Sequence, residues 1–287
     1  MNKKLQITKY LIADLLASAT AWTAFYSYRK IYIEKATLVF GDKFLFGIIF
    51  IPLFWVLIYL ILGTYKNIYR KSRLKELGQT LFISAAGVLV IFFAFLLDDE
   101  VASYKQYYHT FLALYSLHFA LTFVPRFMLT SFAAYKIHNR ILCFNTLLVG
   151  SSAKAIETYR EMESAQRSAG NKFAGFVHIN GNNGNGLSEH IPHLGGTDDI
   201  IEIIGKHQIE EVIISIETSE HQWLNKIFTK LEQTEVIIKI TPDMYDILAG
   251  SVKMTSIYGT PLIEVSHDIM PVWEKTVKQI TDISVSL

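Results

Sequence analysis

Long apolar runs dominate the first half of the chain and are missing from the second half. The clearest run, FLFGIIFIPLFWVLIYLIL, contains no charged residue. A bilayer core offers no water to peptide groups, so a run of this length predicts a membrane-spanning helix. The pattern predicts a multi-pass α-helical membrane domain followed by a water-soluble domain. Its four transmembrane helices are expected at Tyr10–Tyr28, Phe44–Leu62, Leu81–Leu97 and Phe111–Ala134.

Lysine and arginine in the short connections predict the orientation, because these residues accumulate on the cytoplasmic side of a membrane. The amino terminus and the second connection are basic, and the third connection holds Asp98, Asp99 and Glu100. The first connection carries four cations and opposes the trend. The balance places both ends and the second connection in the cytoplasm. The lone Cys143 cannot form an internal disulfide, which agrees with a cytoplasmic soluble domain.

The second connection, TYKNIYRKSRLKELGQT, interleaves cations with tyrosine, isoleucine and leucine. This composition is typical of a helix that lies on the membrane surface, with aromatic rings at the headgroups and cations near anionic lipid. A plain positively charged loop would have the same composition. The sequence leaves both interpretations open.

Asp14 and Arg126 are ionisable residues inside apolar spans. Such residues usually face the interior of a helix bundle and find a partner there. With a cytoplasmic amino terminus the two lie at similar depth, so they are predicted to form an intramembrane ion pair. The alternative is that Arg126 extends to the headgroups while Asp14 lies at the interface. Two such groups are too few for a transport pathway.

The second half alternates short apolar runs with amphipathic segments. Strands are predicted at Ile141–Val149, Phe173–Ile179, Glu211–Ile216 and Glu235–Ile240. Helices are predicted after Gly150, at Asp198–His207 and at Trp223–Leu231. This alternation is typical of an open parallel sheet with crossover helices. We therefore expect a cytoplasmic α/β Rossmann-like domain at residues 139–266 after a membrane domain at residues 1–138.

The turn Gly150-Ser151-Ser152-Ala153 is the candidate ligand site of this domain. It follows a buried strand and opens a helix, whose amino terminus offers N–H groups and two hydroxyls to a phosphate. A full dinucleotide fingerprint would have more glycines and an acidic residue after the second strand. His178 and Asn180 occupy that second position instead. Retained binding of a nucleotide and a purely structural sheet both remain open.

Other chemistry is sparse. His190 and His193 could form half of a metal site, but no cysteine or carboxylate set is spaced to complete it, so no metal is predicted. No pattern of a catalytic triad or nucleophile elbow is present. The formal net charge of +1 argues against nucleic acid as a partner.

Several features together carry a family resemblance. They are the four spans, the basic connection with Tyr69–Arg73, the strand leading into Gly150 and the strand with Gly175-Phe176. The chain resembles two bacterial families that place a four-helix membrane domain and a Rossmann-like, CoA-binding-like domain before a catalytic domain. One comprises polyprenyl-phosphate sugar-1-phosphate transferases of exopolysaccharide and O-antigen synthesis. The other comprises membrane-bound nucleotide-sugar 4,6-dehydratases and epimerases of capsule synthesis.

The end of the chain favours the transferases. Their catalytic domain opens with a Lys-Arg-x-x-Asp-x-x-x-Ser motif, which Lys278, Asp282 and Ser286 match at the right spacing. Gln279 departs from the arginine, and the segment around Trp273 is similar to the transferase junction. Residues 267–287 are therefore expected to begin a catalytic domain that is absent from this chain. The family's catalytic carboxylates would lie beyond Leu287.

The resemblance implies a phosphoglycosyl transferase of the bacterial inner membrane. Such an enzyme moves a sugar-1-phosphate from a UDP-sugar to undecaprenyl phosphate, with Mg²⁺ in its catalytic domain. This chain would supply the membrane anchor and a regulatory part, would be inactive alone, and is expected to form a homo-oligomer. The alternatives are a non-catalytic membrane module that regulates polysaccharide assembly by binding a nucleotide or a partner, and a fragment of a dehydratase.

Overall fold

The fold is taken from a computed structural model that describes residues 3–96, 104–179, 186–217, 222–242 and 262–265, together with positions 278 and 282. Up to residue 265 the chain divides into two compact units, with the boundary between Ala134 and Tyr135. The first unit is helical and the second contains a β-sheet.

Four long helices build the first unit. Their bounds are Lys3–Tyr28 for α1, Asp42–Ile61 for α2, Arg73–Ile91 for α3 and Tyr104–His138 for α4, whose last four residues lie in the second unit. Short π-helical turns, Arg29–Ile33 and Phe92–Leu96, continue α1 and α3. Ser72 caps α3, since its hydroxyl accepts a hydrogen bond from the backbone N–H of Lys75 at 3.1 Å.

Three of the described helices are long and apolar enough to cross a membrane, over Asp42–Ile61, Arg73–Ala94 and Gln106–His138. They overlap the second, third and fourth predicted spans. The first predicted span, Tyr10–Tyr28, lies in helix α1, but α1 does not belong to this group. Lysines and small polar residues make α1 less apolar than the others. A fourth span is therefore not confirmed, and the acidic connection at Asp98–Glu100 lies outside the described residues.

Helix α3 has two contrasting faces that fix its orientation. Its buried residues recur every three or four positions and include Glu76, Thr80 and Ser84. The same face carries Gly87, where an added Cβ would lie 2.4 Å from the ring of Trp55 on α2. Glycine at this position therefore allows the fully buried tryptophan to pack directly against the backbone of α3.

The connection between α2 and α3 contains little helix. Only Ile68–Arg70 is helical, as one short 3₁₀ turn after Asn67 in the left-handed conformation. Tyr65 and Ile68 are buried in the helical core instead of lying at the level of the headgroups. Of the two interpretations that the sequence left open, the loop fits these residues and the surface helix does not.

The second unit is built on a sheet with the strand order β3-β2-β1-β4-β5-β6 among the described residues. The strands are β1 Phe144–Val149, β2 Asn171–His178, β3 His193–Gly196, β4 Glu211–Ile214, β5 Ile237–Ile240 and β6 Ile263–Val265. Helix α5, Ala153–Ser164, follows β1, helix α6, Ile200–His207, precedes β4, and helix α7, Leu224–Leu231, precedes β5.

The sheet is mixed, which corrects the prediction of a purely parallel one. Strands β1 to β5 pair in parallel, and β6 pairs with β5 antiparallel. The sequence analysis also missed β3 and β6. Both are short edge strands, and the two glycines of HLGG gave β3 no apolar alternation to detect.

Both faces of this sheet are buried. Alternate residues of β1 and β4 point to opposite sides, as expected for a strand. Leu147 and Ile214 belong to the cluster that contains residues of α6 and α7, whereas Leu148 and Ile213 pack with α5. Helices therefore cover the two faces, which explains why the inner strands read as continuous apolar runs.

We predict opposite effects for alanine at two glycines of this unit. Gly150 has φ +125°, and an added Cβ would lie 2.1 Å from the Ser215 carbonyl oxygen. Gly150→Ala should lower the free energy of unfolding by roughly 2–5 kcal/mol, through backbone strain and overpacking. Gly205 in α6 has open space around it, so Gly205→Ala should raise the free energy by about 1 kcal/mol through helix propensity.

Denaturant unfolding of the purified chain, monitored by a spectroscopic signal of the sheet unit, measures both changes in the free energy of unfolding. Equal stability of the two variants would contradict the geometry assigned to the Gly150 turn.

Candidate functional site

A buried ion pair joins the first and last helices of the helical unit. The Arg126 guanidinium on α4 donates from Nε to Asp14 Oδ1 and from Nη2 to Asp14 Oδ2, both at 2.7 Å. Each side chain is 1% exposed. The structure thus brings together the two residues singled out as an intramembrane pair. The paired, bidentate geometry satisfies both carboxylate oxygens and fixes the guanidinium plane.

Two further charges extend this pair into a cluster. Arg126 Nη1 lies 3.5 Å from Glu76 Oε1 on α3, and Glu76 Oε2 lies 3.4 Å from Lys71 Nζ. The cluster holds two carboxylates and two cations, so their formal charges cancel. Among the described residues, neither Lys71 Nζ nor Glu76 Oε2 makes a hydrogen bond, although both atoms are buried. Burial lowers the pKa of the Lys71 ammonium, and the Glu76 carboxylate opposes this shift.

Aromatic and polar side chains surround the cluster. Tyr65 donates its hydroxyl to Asp14 Oδ2 at 2.7 Å. The Tyr59 ring lies 3.8 Å from the guanidinium carbon of Arg126, a cation–π contact. The Tyr59 hydroxyl lies 3.1 Å from Nε2 of His118, whose ring stacks on Trp55 at 3.5 Å between centroids. A continuous buried polar layer therefore connects all four helices of the unit.

Sequence reasoning missed Lys71, Glu76 and Tyr65. All three lie within the basic connection, where they read as surface residues. The available signal was the four-residue spacing of Glu76, Thr80 and Ser84, which forms a polar stripe on α3. If α3 begins before Glu76, this spacing places Glu76 on the same face as Thr80 and Ser84, and that face predicts a buried partner for the carboxylate.

The cluster also orders the helix ends of this unit. Asp14 lies in the first half of α1, Tyr65 follows α2, Glu76 is in the first turn of α3 and Arg126 is in the second half of α4. Their contacts place the amino end of α1, the α2–α3 connection and the carboxyl end of α4 on one side of the unit.

A second candidate site lies in the sheet unit, where β1 and β4 end side by side. In the sheet, β2 and β3 lie on one side of β1, and β4 and β5 lie on the other. The carboxyl ends of β1 and β4 therefore form the switch point, where open sheets bind ligands. Gly150 and Ser215 follow the two strands directly, and their backbones approach closely. The positive φ of Gly150 turns the chain into α5, whose amino terminus opens at Ala153.

Hydroxyl groups gather around this turn. Ser152 precedes α5 without capping it, and among the described residues its buried Oγ has no hydrogen-bond partner. Thr158 Oγ1 lies 2.9 Å from Ser215 Oγ, which Thr241 Oγ1 approaches at 3.5 Å. The Ser215 carbonyl alone already requires glycine at position 150. The hydroxyls and the helix terminus remain the groups that could hold an anion.

Two comparisons relate this chain to known proteins. A family described as a CoA-binding domain matches residues 60–242, more than half of the chain. The chain belongs to the CoA-binding domain family. A UDP-glucose:undecaprenyl-phosphate glucose-1-phosphate transferase of Xanthomonas campestris pv. campestris is 30% identical to this chain over 56 residues. That similarity covers 20% of this chain and 12% of the transferase.

The region shared with the CoA-binding domain family begins within α2 and ends just after β5. It includes Lys71, Glu76 and Arg126 as well as the turn at Gly150–Ala153. Asp14 lies outside it. The family match therefore spans helices of the first unit and the sheet of the second.

The remaining predicted site residues occupy separate places. His193 begins β3 and its Nε2 lies 2.6 Å from His178 Nδ1, while His190 stacks on Tyr159. The described residues contain no group of three or more potential metal ligands. Lys278 and Asp282 are helical and exposed, whereas Ser286 lies outside the described residues.

We predict strong coupling between Asp14 and Arg126. Removing one partner of a buried ion pair leaves an uncompensated charge and should lower the free energy of unfolding by about 3–5 kcal/mol. Arg126→Gln should cost more than Asp14→Asn, because it also deprives Glu76 of a cation. The double variant should cost less than the sum. Chemical unfolding of the detergent-solubilised chain measures all three.

The exposed pair of Lys30 and Glu34 provides the control. Glu34→Gln should change stability by less than about 1 kcal/mol, because solvent screens a surface pair. Additive effects of the Asp14 and Arg126 substitutions would contradict an energetic coupling between them.

Proposed function

We propose that this chain is the membrane-anchoring and regulatory part of a bacterial sugar transferase. The complete enzyme would move a sugar-1-phosphate from a UDP-sugar to undecaprenyl phosphate during synthesis of exopolysaccharide, O-antigen or capsule. We assign no catalytic residue to this chain. The observation that carries the proposal is its similarity to the Xanthomonas transferase, in a chain that combines membrane-span candidates with a CoA-binding domain.

The two units would divide the work of such a protein. The apolar helices would hold the chain in the inner membrane, next to the lipid acceptor. The sheet unit would lie in the cytoplasm, where a UDP-sugar is dissolved, and would carry a regulatory ligand or hold a homo-oligomer together. Mg²⁺ would belong to the catalytic domain.

We further propose that the ligand of the sheet unit is a nucleotide or UDP-sugar bound at Gly150–Ala153. The amino terminus of α5 attracts a phosphate through its dipole and N–H groups. The buried Ser152 hydroxyl, which has no partner in the described part of the chain, can donate to a phosphate oxygen. No acidic side chain lies in the first turn of α5 to repel the anion.

A second candidate function is a non-catalytic membrane module that regulates polysaccharide assembly by binding a ligand. The match to a CoA-binding domain favours this function specifically, because it covers most of the described sheet as well as α3 and α4. Coenzyme A is then the ligand to compare with a UDP-sugar.

We predict that the purified chain alone releases no UMP from UDP-sugars in the presence of undecaprenyl phosphate. Membranes that contain the protein expressed from the complete coding sequence should release UMP and form a lipid-linked sugar phosphate. The physical reason is that we place the catalytic carboxylates outside residues 1–287. UMP release by the purified chain above an enzyme-free blank would contradict the assignment of a regulatory role.

We also predict that Ser152 contributes to ligand affinity. Calorimetric titration of the full chain with UDP, UDP-glucose, NAD and coenzyme A should reveal binding of UDP or UDP-glucose. Ser152→Ala should weaken that binding roughly fivefold to tenfold, which corresponds to one hydrogen bond.

Ser164→Ala, at the exposed far end of α5, is the matched control and should leave affinity unchanged. Binding of coenzyme A alone would favour the regulatory module over the UDP-sugar proposal. If none of the four ligands gave a heat of binding in the titration, the result would contradict a nucleotide site at this turn.

A further inference from the structure

Exposed cations gather at one end of the helical unit. Lys4 and Lys9 lie at the start of α1, while Lys66, Arg73 and Lys75 lie in the α2–α3 connection and the first turn of α3. All five are exposed, and none makes an ion pair with another described residue. The contacts of Asp14 with Tyr65 and Arg126 place both groups at the same end of the unit. We name these five residues the cationic rim.

The outer face of α3 leads directly to this rim. Leu74 is 77% exposed and Phe82 is 73% exposed, whereas Glu76, Thr80 and Ser84 face the bundle. The outer face is therefore an apolar stripe of a candidate membrane span, which hydrocarbon chains would cover. Arg73 and Lys75 flank Leu74 at the end of this stripe, the level at which lipid headgroups begin.

The connection itself separates two kinds of cation. The Lys71 side chain is 5% exposed and points to Glu76 inside the bundle. Lys66, Arg73 and Lys75 point outward. No aspartate or glutamate occurs between Tyr65 and Lys75, and the next carboxylate, Glu76, is fully buried. The outer surface therefore keeps its positive charge instead of neutralising it locally.

We propose that Lys66, Arg73 and Lys75 of the cationic rim bind the headgroups of anionic phospholipids. An anionic headgroup can approach Lys66, Arg73 and Lys75 while its acyl chains cover Leu74 and Phe82. A zwitterionic headgroup has no net charge to offer. Each cation near an anionic surface strengthens the attraction by roughly fivefold at low ionic strength, so a group of cations gives a clear preference. This proposal concerns the helical unit and does not depend on the sugar-transferase function.

The test uses the full detergent-solubilised chain and two fluorescent lipids with identical acyl chains. Phosphatidylglycerol should bind at least about tenfold more tightly than phosphatidylcholine, and the difference should shrink as salt screens the exposed charges. A variant with Lys66→Gln, Arg73→Gln and Lys75→Gln should lose this preference. Because all three side chains are exposed, the fold should tolerate the change, which the thermal midpoint of unfolding checks.

Two controls distinguish charge at this surface from charge in general. A variant with Arg160→Gln, Lys172→Gln and Lys206→Gln removes the same charge from exposed positions of the sheet unit and should keep the preference. Lys71→Gln should also keep it while lowering the thermal midpoint, because this ammonium faces Glu76 and not solvent.

Three results would overturn the proposal. Equal affinity for the two lipids would do so, as would a preference that survives loss of Lys66, Arg73 and Lys75. The third is displacement of labelled phosphatidylglycerol by millimolar inorganic phosphate or by trace undecaprenyl phosphate. Those competitors would identify a free-phosphate site or a polyprenyl-lipid site in place of a phospholipid surface.

Discussion

A charge withdrawn from water needs a partner within hydrogen-bond distance, and this constraint organises the helical unit. Arg126 is almost completely buried and lies against Asp14 through two hydrogen bonds. Its third nitrogen faces Glu76, and its flat side packs on Tyr59. Displacing α1 or α4 would leave a buried charge without its partner. The helix arrangement is thus specified electrostatically as well as by apolar packing, which alone discriminates poorly between helix rotations in lipid.

The same cluster explains why one connection contains both inward and outward cations. Tyr65 donates a hydrogen bond to Asp14, and Lys71 lies next to Glu76. Because of these two contacts, the connection between α2 and α3 packs partly inside the bundle. A 3₁₀ turn and the left-handed Asn67 supply the necessary reversals. Lys66, Arg73 and Lys75 are exposed cations that take no part in the cluster. Their exposure is therefore a consequence of how the buried charges are paired.

The residues that sequence reasoning located are those whose environment could be inferred from their neighbours. Asp14 and Arg126 were identifiable because an ionisable group within an apolar run needs a partner. The strand that enters Gly150 was identifiable from its continuous apolar character. Glu76 was not, because its burial depends on where α3 begins. The short strand β6 could not be identified either, because an edge strand of three residues pairs with β5 without any sequence pattern of its own.

The region that matches the CoA-binding domain family contains only part of the buried charge cluster. Residues 60–242 contain Arg126, Glu76 and Lys71 but not Asp14. Among the described residues of that region, two buried cations face one carboxylate in this cluster, and without α1 the Arg126 nitrogens that bind Asp14 would lose their acceptor. Helix α1 supplies the missing negative charge through a bidentate contact at 2.7 Å. The family region of this chain is therefore electrostatically incomplete without α1. The least apolar of the four helices thus contributes this carboxylate in addition to the apolar packing of Tyr10 and Phe25.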